Sequence, residues 1–79
     1  MPRFEYALST AETLRSSGVV VSNDFADALH TIQENAAISN GDVLMLGVPG
    51  FPPVRYECVG LEVDTEGWTP VWRAMRRAA

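Results

Sequence analysis

The feature that most constrains this chain is the near absence of side chains that could cross-link it. Its 79 residues include one cysteine, Cys58, and one histidine, His30. One cysteine cannot form an internal disulfide, and these two side chains cannot complete a four-ligand zinc site. Small domains without a disulfide or a structural metal depend on a well-packed core or on a partner subunit. We therefore expect one domain, residues 1–79, with an apolar core and with no metal or cofactor.

The composition is that of a folded domain outside the membrane. Apolar residues make up 47% of the chain, which is ordinary for a globular domain and too high for a disordered one. No apolar run approaches the roughly 20 residues that span a bilayer, and the first residues lack the basic and apolar regions of a signal peptide. We expect no membrane contact and a cytoplasmic location, which also suits a lone thiol. All six basic residues are arginine, which together with nine alanines is typical of GC-rich bacterial genes.

A β-hairpin is predicted at the start of the chain. Residues 3–9 alternate with a period of two, which places Phe4, Tyr6 and Leu8 on one face of a half-buried strand. Residues 10–13 fit a turn, and the three consecutive valines at 19–21 favour a second strand. We expect a β-bulge at residues 16–18.

A helix is predicted after this hairpin. Residues 22–24, Ser-Asn-Asp, can each cap a helix N-terminus. Apolar residues then recur at the spacing of one helical face. They are Phe25, Leu29, Ile32 and Ala36. The helix should end near residues 35–37, before the turn signal Asn40-Gly41.

Two further strands are predicted after the helix. Residues 43–48 contain no polar side chain, so we place this strand in the centre of the sheet. Prolines and a glycine break it at residues 49–53, and residues 54–63 resume a strand. The apolar positions change from even to odd numbers at Val59-Gly60, which predicts a β-bulge there.

The last segment, residues 68–79, admits two interpretations. As an edge strand it places Trp68, Pro70 and Trp72 on one face; as a helix it begins with Thr69 as its cap. The short turn at residues 64–67 favours a strand to about residue 74, with residues 75–79 as a disordered basic tail. The predicted fold is α+β, in the order β-β-α-β-β-β with the last element open to the helical alternative. One helix would pack on one face of a four- to five-stranded antiparallel or mixed sheet.

The sequence predicts no catalytic or metal site. His30 could act as a base and Cys58 as a nucleophile, but no motif surrounds either residue. We interpret His30 as a surface residue with local ion pairing and Cys58 as a buried, apolar side chain. Four acids near the C-terminal turn are interpreted as solvated side chains, because their spacing does not fit a calcium loop. These acids are Glu57, Glu62, Asp64 and Glu66.

Apolar residues are more numerous than one small core requires, which predicts a contact surface. The candidate contacts with a partner or with a second copy of the chain are Phe51, Pro52, Pro53, Trp68 and Trp72. Phe51, held in a loop of prolines, either projects as a rigid anchor or folds back to cap the core. We expect a homodimer that forms through the second face of the sheet or through an edge strand.

The charge distribution narrows the class of partner. Residues 1–72 contain ten acidic residues and three arginines, a net charge of −7, whereas residues 73–79 contain three arginines and no acid. An acidic body repels phosphates, so nucleic acid is not expected as a ligand. The predicted function is a non-enzymatic protein-interaction or self-associating module, with an unidentified protein as a further partner. Two alternatives stay open. The first is a small-molecule binder or minor enzyme, with a cleft near the loop between the third and fourth strands and with Tyr56, Cys58 or His30 in the site. The second is an acidic inhibitor of a basic protein.

Overall fold

The computed structural model describes residues 2–65 and 67–75, and within these ranges the chain forms five strands and one helix. The predicted α+β class is confirmed, and the element order agrees with the expected one. The strands build a single sheet, antiparallel throughout, in the spatial order β2-β1-β3-β4-β5. The elements are β1 (Arg3–Thr10), β2 (Thr13–Val21), α1 (Phe25–Asn35), β3 (Val43–Gly47), β4 (Val54–Asp64) and β5 (Gly67–Met75).

The first hairpin confirms the period-two pattern and corrects the position of its bulge. Pairing shifts from Leu8↔Ser16 to Ser9↔Leu14, so Arg15 is the additional residue, and residues 16–18 pair regularly. The cause is tertiary, because the bulge brings the Arg15 side chain to the buried carboxylate of Asp42. A two-residue turn, Ala11-Glu12, closes the hairpin, and both residues have positive φ, 48° and 67°. Such turns favour Asn and Gly, since other side chains are strained there.

Helix α1 begins and ends where capping rules place its termini. Of the three predicted caps, Asp24 is the one used: its Oδ1 accepts a hydrogen bond from the backbone N–H of Asp27 at 2.8 Å. Ile32 of the predicted apolar face and Ala28, which was not part of it, are buried against the sheet. The other predicted positions, Phe25, Leu29 and Ala36, pack around them. The helix ends at Asn35 because Ala36 is extended. Among the described residues, no helix combines the length and apolar character needed to cross a bilayer.

The core lies between α1 and one face of the sheet. The predicted central strand, β3, contributes Leu44 and Leu46, and neither is accessible to solvent. Phe4 and Leu8 of β1 complete the sheet side of the cluster. Residues of opposite parity, such as Glu5 and Arg55, lie on the other face, where they are exposed. One helix therefore covers one face of this sheet, and the second face is open.

The C-terminal segment is a strand, as the hairpin interpretation predicted. β5 pairs with β4 along its length, and the register shifts between Cys58↔Trp72 and Gly60↔Val71. Val59 is thus the additional residue of a β-bulge, which confirms the prediction at Val59-Gly60. Met75, assigned above to the basic tail, is the last residue of β5. The remainder of that predicted tail, residues 76–79, lies outside the described residues.

Candidate functional site

The predicted contact residues fall at two separate places. Residues 51–53 form the exposed loop between β3 and β4, and the Phe51 side chain is 73% exposed, so it projects and does not cap the core. Trp68 is 69% exposed and pairs with Val63 near the far end of β4. Because a strand advances about 3.3 Å per residue, about 30 Å of β4 separates this pair from the loop. The predicted contacts therefore do not form one patch.

The two tryptophans have different surroundings although they are four residues apart. Trp72 packs against the core and is half-buried, and its Nε1 donates a hydrogen bond to the side-chain oxygen of Gln33, 3.2 Å away. This bond joins β5 to α1. Trp68 lies nearer the turn of the hairpin and remains exposed. Of the two, Trp68 is the side chain available to a binding partner.

The β4–β5 hairpin extends beyond the end of the neighbouring strand β3. β3 pairs with β4 only as far as Glu57, so residues 59–65 and 67–71, here named the distal hairpin, have no β3 strand beside them. Cross-strand partners share a face of a hairpin, which places the pairs Leu61↔Pro70 and Val63↔Trp68 together. This apolar face is turned towards the C-terminal half of α1.

A shallow cleft separates the distal hairpin from α1, and we name it the helix–hairpin cleft. It consists of two adjoining depressions of about 210 Å³ and 230 Å³. Trp68, Pro70 and Gln33 line both of them. The first also contains His30 and Glu34, and the second contains Leu61 and the residues that follow the helix, Ala36, Ala37 and Ile38.

The cleft has a negative end. The carboxylate of Glu34 lies in the last turn of α1, and its Oε1 is 2.9 Å from His30 Nε2, which is the local pairing that we predicted for this histidine. No basic residue lies in that last turn. Because the terminal carbonyl groups of a helix carry partial negative charge, the Glu34 carboxylate adds to the negative potential at this end of α1, and His30 is the helix side chain that faces it. The structure thus joins an apolar wall to a negatively charged corner.

The three residues named in the alternative hypothesis of a small-molecule binder or enzyme have different surroundings. Cys58 is completely buried, and its thiol lies 3.3 Å from the carbonyl oxygen of Gly60, so it packs as the predicted apolar side chain. Tyr56 packs against the core, and burial raises its pKa because the phenolate loses hydration. His30 lies in the helix–hairpin cleft, on the surface.

The predicted solvated acids do not form a metal cluster among the residues that the structure describes. Glu57 Oε2 lies 3.6 Å from Arg73 Nη2, and Glu62 is exposed. Glu66 lies outside the described residues.

One polar cluster was missed by the sequence analysis. The carboxylate of Asp42 is fully buried and accepts hydrogen bonds from Thr10 Oγ1, Arg15 Nη1 and the backbone N–H of Ser39 at 2.7, 2.9 and 2.9 Å. Its backbone carbonyl accepts a further bond from the N–H of Cys58. A sequence signal exists, since Asp42 follows the Asn-Gly turn and precedes an apolar strand. This cluster ties β1, β2 and β4 together at one end of the sheet.

The two edges of the sheet differ in their protection. β5, on one edge, contains Pro70 and Arg73, and prolines and charges are common devices against strand pairing. β2, on the other edge, contains a single charged residue, Arg15, and that side chain is engaged with Asp42. Beyond it, residues 16–21 pair regularly with β1 and are uncharged, and Val19 is 54% exposed. The outer side of β2 is therefore an unprotected strand edge.

These features define a small α+β domain with an open sheet edge at β2 and a shallow cleft between α1 and the distal hairpin. Compared with models of protein families, with curated proteins and with solved structures, the chain matches none.

Proposed function

We propose that this protein is a non-enzymatic, self-associating module that forms a homodimer by pairing β2 with β2 of a second copy. The observation that carries the proposal is the unprotected edge of β2. An edge strand presents unpaired backbone N–H and C=O groups, which a second strand satisfies without any special side chain. Residues 16–21 place no charge on this edge, so two copies meet without repulsion between like charges.

The geometry of this pairing is self-complementary. Antiparallel pairing of a strand with itself requires a two-fold axis perpendicular to the sheet, which is the symmetry of most homodimers. Both copies of α1 then lie on the same face of a continuous sheet. On the opposite face, Val19 and Val21 of the two copies become neighbours and bury apolar surface that is exposed in a single chain.

The same geometry limits the assembly to two chains. Each copy uses its β2 edge at the two-fold axis, so the outer edges of the dimer are both β5. Pro70 lacks a backbone N–H and Arg73 carries a charge, and both features oppose further strand addition. A closed dimer is expected instead of a fibre.

The test is the mass in solution, measured by light scattering across a dilution series. The wild-type chain should have twice the chain mass at high concentration. Val19→Lys should shift the mass to that of the monomer, because two lysines would approach each other across the seam. Val19 lies opposite Glu5 of its own β1, so a lysine there gains an opposite charge within the monomer, and folding should be preserved.

The matched control is Val63→Lys. Val63 is 65% exposed and lies on the distal hairpin, so this change adds the same charge to an exposed valine outside β2. It should leave the dimer intact. A monomeric wild-type chain throughout the series, or equal dissociation by both variants, would contradict pairing through β2.

The exposed residues of the loop between β3 and β4 are not part of the proposed dimer interface. Phe51, Pro52 and Pro53 lie at the opposite end of β4 from the distal hairpin. We propose these residues as contacts for a further protein partner. A reducing, cytoplasmic compartment, which suits a lone cysteine, stays a prediction. Replacement of Phe51 by alanine should weaken capture of such a partner and leave thermal stability unchanged, since the side chain is not packed in the core.

A further inference from the structure

We infer that the helix–hairpin cleft is a recognition site for one arginine side chain that a partner protein presents. The inference rests on the walls, the charge and the shape of the cleft, and it does not depend on the dimer proposed above.

The shape of the cleft suits a long and narrow side chain. Its two depressions measure about 210 Å³ and 230 Å³. They adjoin along Trp68, Pro70 and Gln33. A long and narrow side chain can therefore lie across both depressions, with its stem in one and its head group in the other.

The apolar walls suit an aliphatic stem. Leu61, Pro70 and Ile38 line the depression of about 230 Å³. Long basic side chains bury their methylene groups along apolar surface and keep the charged head group near water. The exposed Trp68 ring, which lines both depressions, provides a flat surface that a cation can approach.

The charge of the cleft selects a cation. Glu34 and the C-terminal carbonyl groups of α1 place negative charge at this corner. Among the described residues that line the two depressions, His30 is the one basic side chain, and its Nε2 lies 2.9 Å from Glu34 Oε1. The chain carries a net charge of −4, which also steers a basic partner towards it.

Arginine fits this arrangement better than lysine does. A guanidinium is planar and weakly hydrated, so it stacks on an indole ring and presents a fork of N–H donors to a carboxylate at the same time. Trp68 offers the ring and Glu34 the carboxylate. A lysine ammonium is a compact, strongly hydrated charge that cannot make both contacts in this way.

The experiment is a titration of the ¹⁵N-labelled wild-type chain, followed by two-dimensional NMR, with three short capped peptides. They contain one arginine, one citrulline or one lysine in an otherwise identical neutral sequence. Citrulline has nearly the shape of arginine but no charge. The arginine peptide should cause saturable shifts of the Trp68 indole N–H and of the backbone amides of residues 33–38. The citrulline and lysine peptides should bind about fivefold more weakly or less.

Two variants and a matched control locate the interaction. Trp68→Leu and Glu34→Gln should each weaken binding of the arginine peptide by about threefold or more. Glu5→Gln removes the same unit of charge from the exposed, opposite face of the sheet, and it should leave the affinity unchanged. Both glutamates are exposed, so the folded state should tolerate each change.

Three results would overturn the inference. The first is equal binding of the arginine and citrulline peptides, which would make the recognition independent of charge. The second is a general attraction to an acidic chain. It would be indicated by equal binding of the lysine and arginine peptides, or by equal weakening of arginine-peptide binding in Glu5→Gln and Glu34→Gln. The third is the absence of a saturable shift at Trp68. None of these outcomes bears on the mass of the protein, so the proposed dimer is tested separately.

Discussion

Removal of the Asp42 carboxylate should be among the most damaging single changes to this sheet. The carboxylate is completely buried and receives hydrogen bonds from β1, β2 and the loop that precedes β3, through Thr10, Arg15 and Ser39. Its loss leaves the hydroxyl and the backbone N–H without the acceptor that they have in the folded chain. The three donor residues are themselves exposed, so water partly replaces the bonds that they lose.

The magnitude follows from these three bonds. A hydrogen bond to a charged group contributes about 1.5–3 kcal/mol when both partners are buried. Thr10, Arg15 and Ser39 are exposed residues, so water partly replaces each bond, and about 1 kcal/mol for each is a better figure. The desolvation of the carboxylate opposes the sum. We expect Asp42→Ala to lower the free energy of unfolding by about 2–3 kcal/mol, against the roughly 4–12 kcal/mol typical of a domain this size.

Asp42→Asn separates the charge from the geometry. The amide keeps an acceptor for Arg15 and Ser39 and nearly the same shape, so its expected cost is about 1–2 kcal/mol. Urea denaturation at neutral pH, followed by circular dichroism at one fixed protein concentration, measures both variants. Glu5→Ala, which removes an exposed carboxylate, should change the stability by less than about 0.5 kcal/mol. If Asp42→Ala costs less than about 1 kcal/mol, or no more than Asp42→Asn, then the buried cluster does not hold the sheet as argued.

Three further changes test local features of the fold by the same denaturation assay. Gly47→Ala should destabilise the chain by about 1–3 kcal/mol, because the new Cβ would lie 2.8 Å from the Pro53 Cα. The control is Gly60→Ala, where no atom lies within 4 Å of the new Cβ. It should be neutral or slightly stabilising. Glu12→Gly should stabilise the chain by about 0.5 kcal/mol, since glycine relieves the strain of a positive φ at some entropic cost; a loss of stability would show that this turn is not strained. Burial raises the pKa of Tyr56 in the folded chain above its usual value of 10.0. The contribution of Tyr56 to the free energy of unfolding should therefore be complete below pH 10, and it should be lost as the pH rises from there through the folded-state pKa. Tyr56→Phe should remove part of that alkaline loss, and an unchanged pH profile would contradict the assignment to Tyr56.

Local patterns predicted the elements of this fold because each pattern has a local cause. Alternation in residues 3–9 defines a strand with one buried face, and the capping residues at 22–24 define the start of a helix. The change of parity at Val59-Gly60 reports a bulge because the apolar side chains on the two sides of it lie on one face of the β4–β5 hairpin. The same reasoning misplaced the bulge in β2, since Arg15 is drawn out by a carboxylate that lies far away in sequence.

The candidate site was predicted less completely, for a related reason. Period-two alternation correctly places Trp68 and Trp72 on one face of β5, but it does not say how far along that face the helix reaches. Trp72 packs against the core and bonds to Gln33 of α1, whereas Trp68 lines the cleft beside the same helix and stays exposed. The burial of Asp42 was not predicted either, because two of its three donors, Thr10 and Arg15, lie 32 and 27 residues away in sequence.

The strand order has a consequence for how quickly the chain folds. Three of the four strand pairings join strands that are consecutive in sequence, and only β1 and β3 pair across the intervening helix. Leu8 and Leu44 face each other in this pairing, although nearly half of the chain separates them. Closing a long loop costs entropy before its contacts form, and such distant contacts slow folding. We expect the two outer hairpins to form early and the junction of β1 with β3, together with the docking of α1, to be the rate-limiting event of folding.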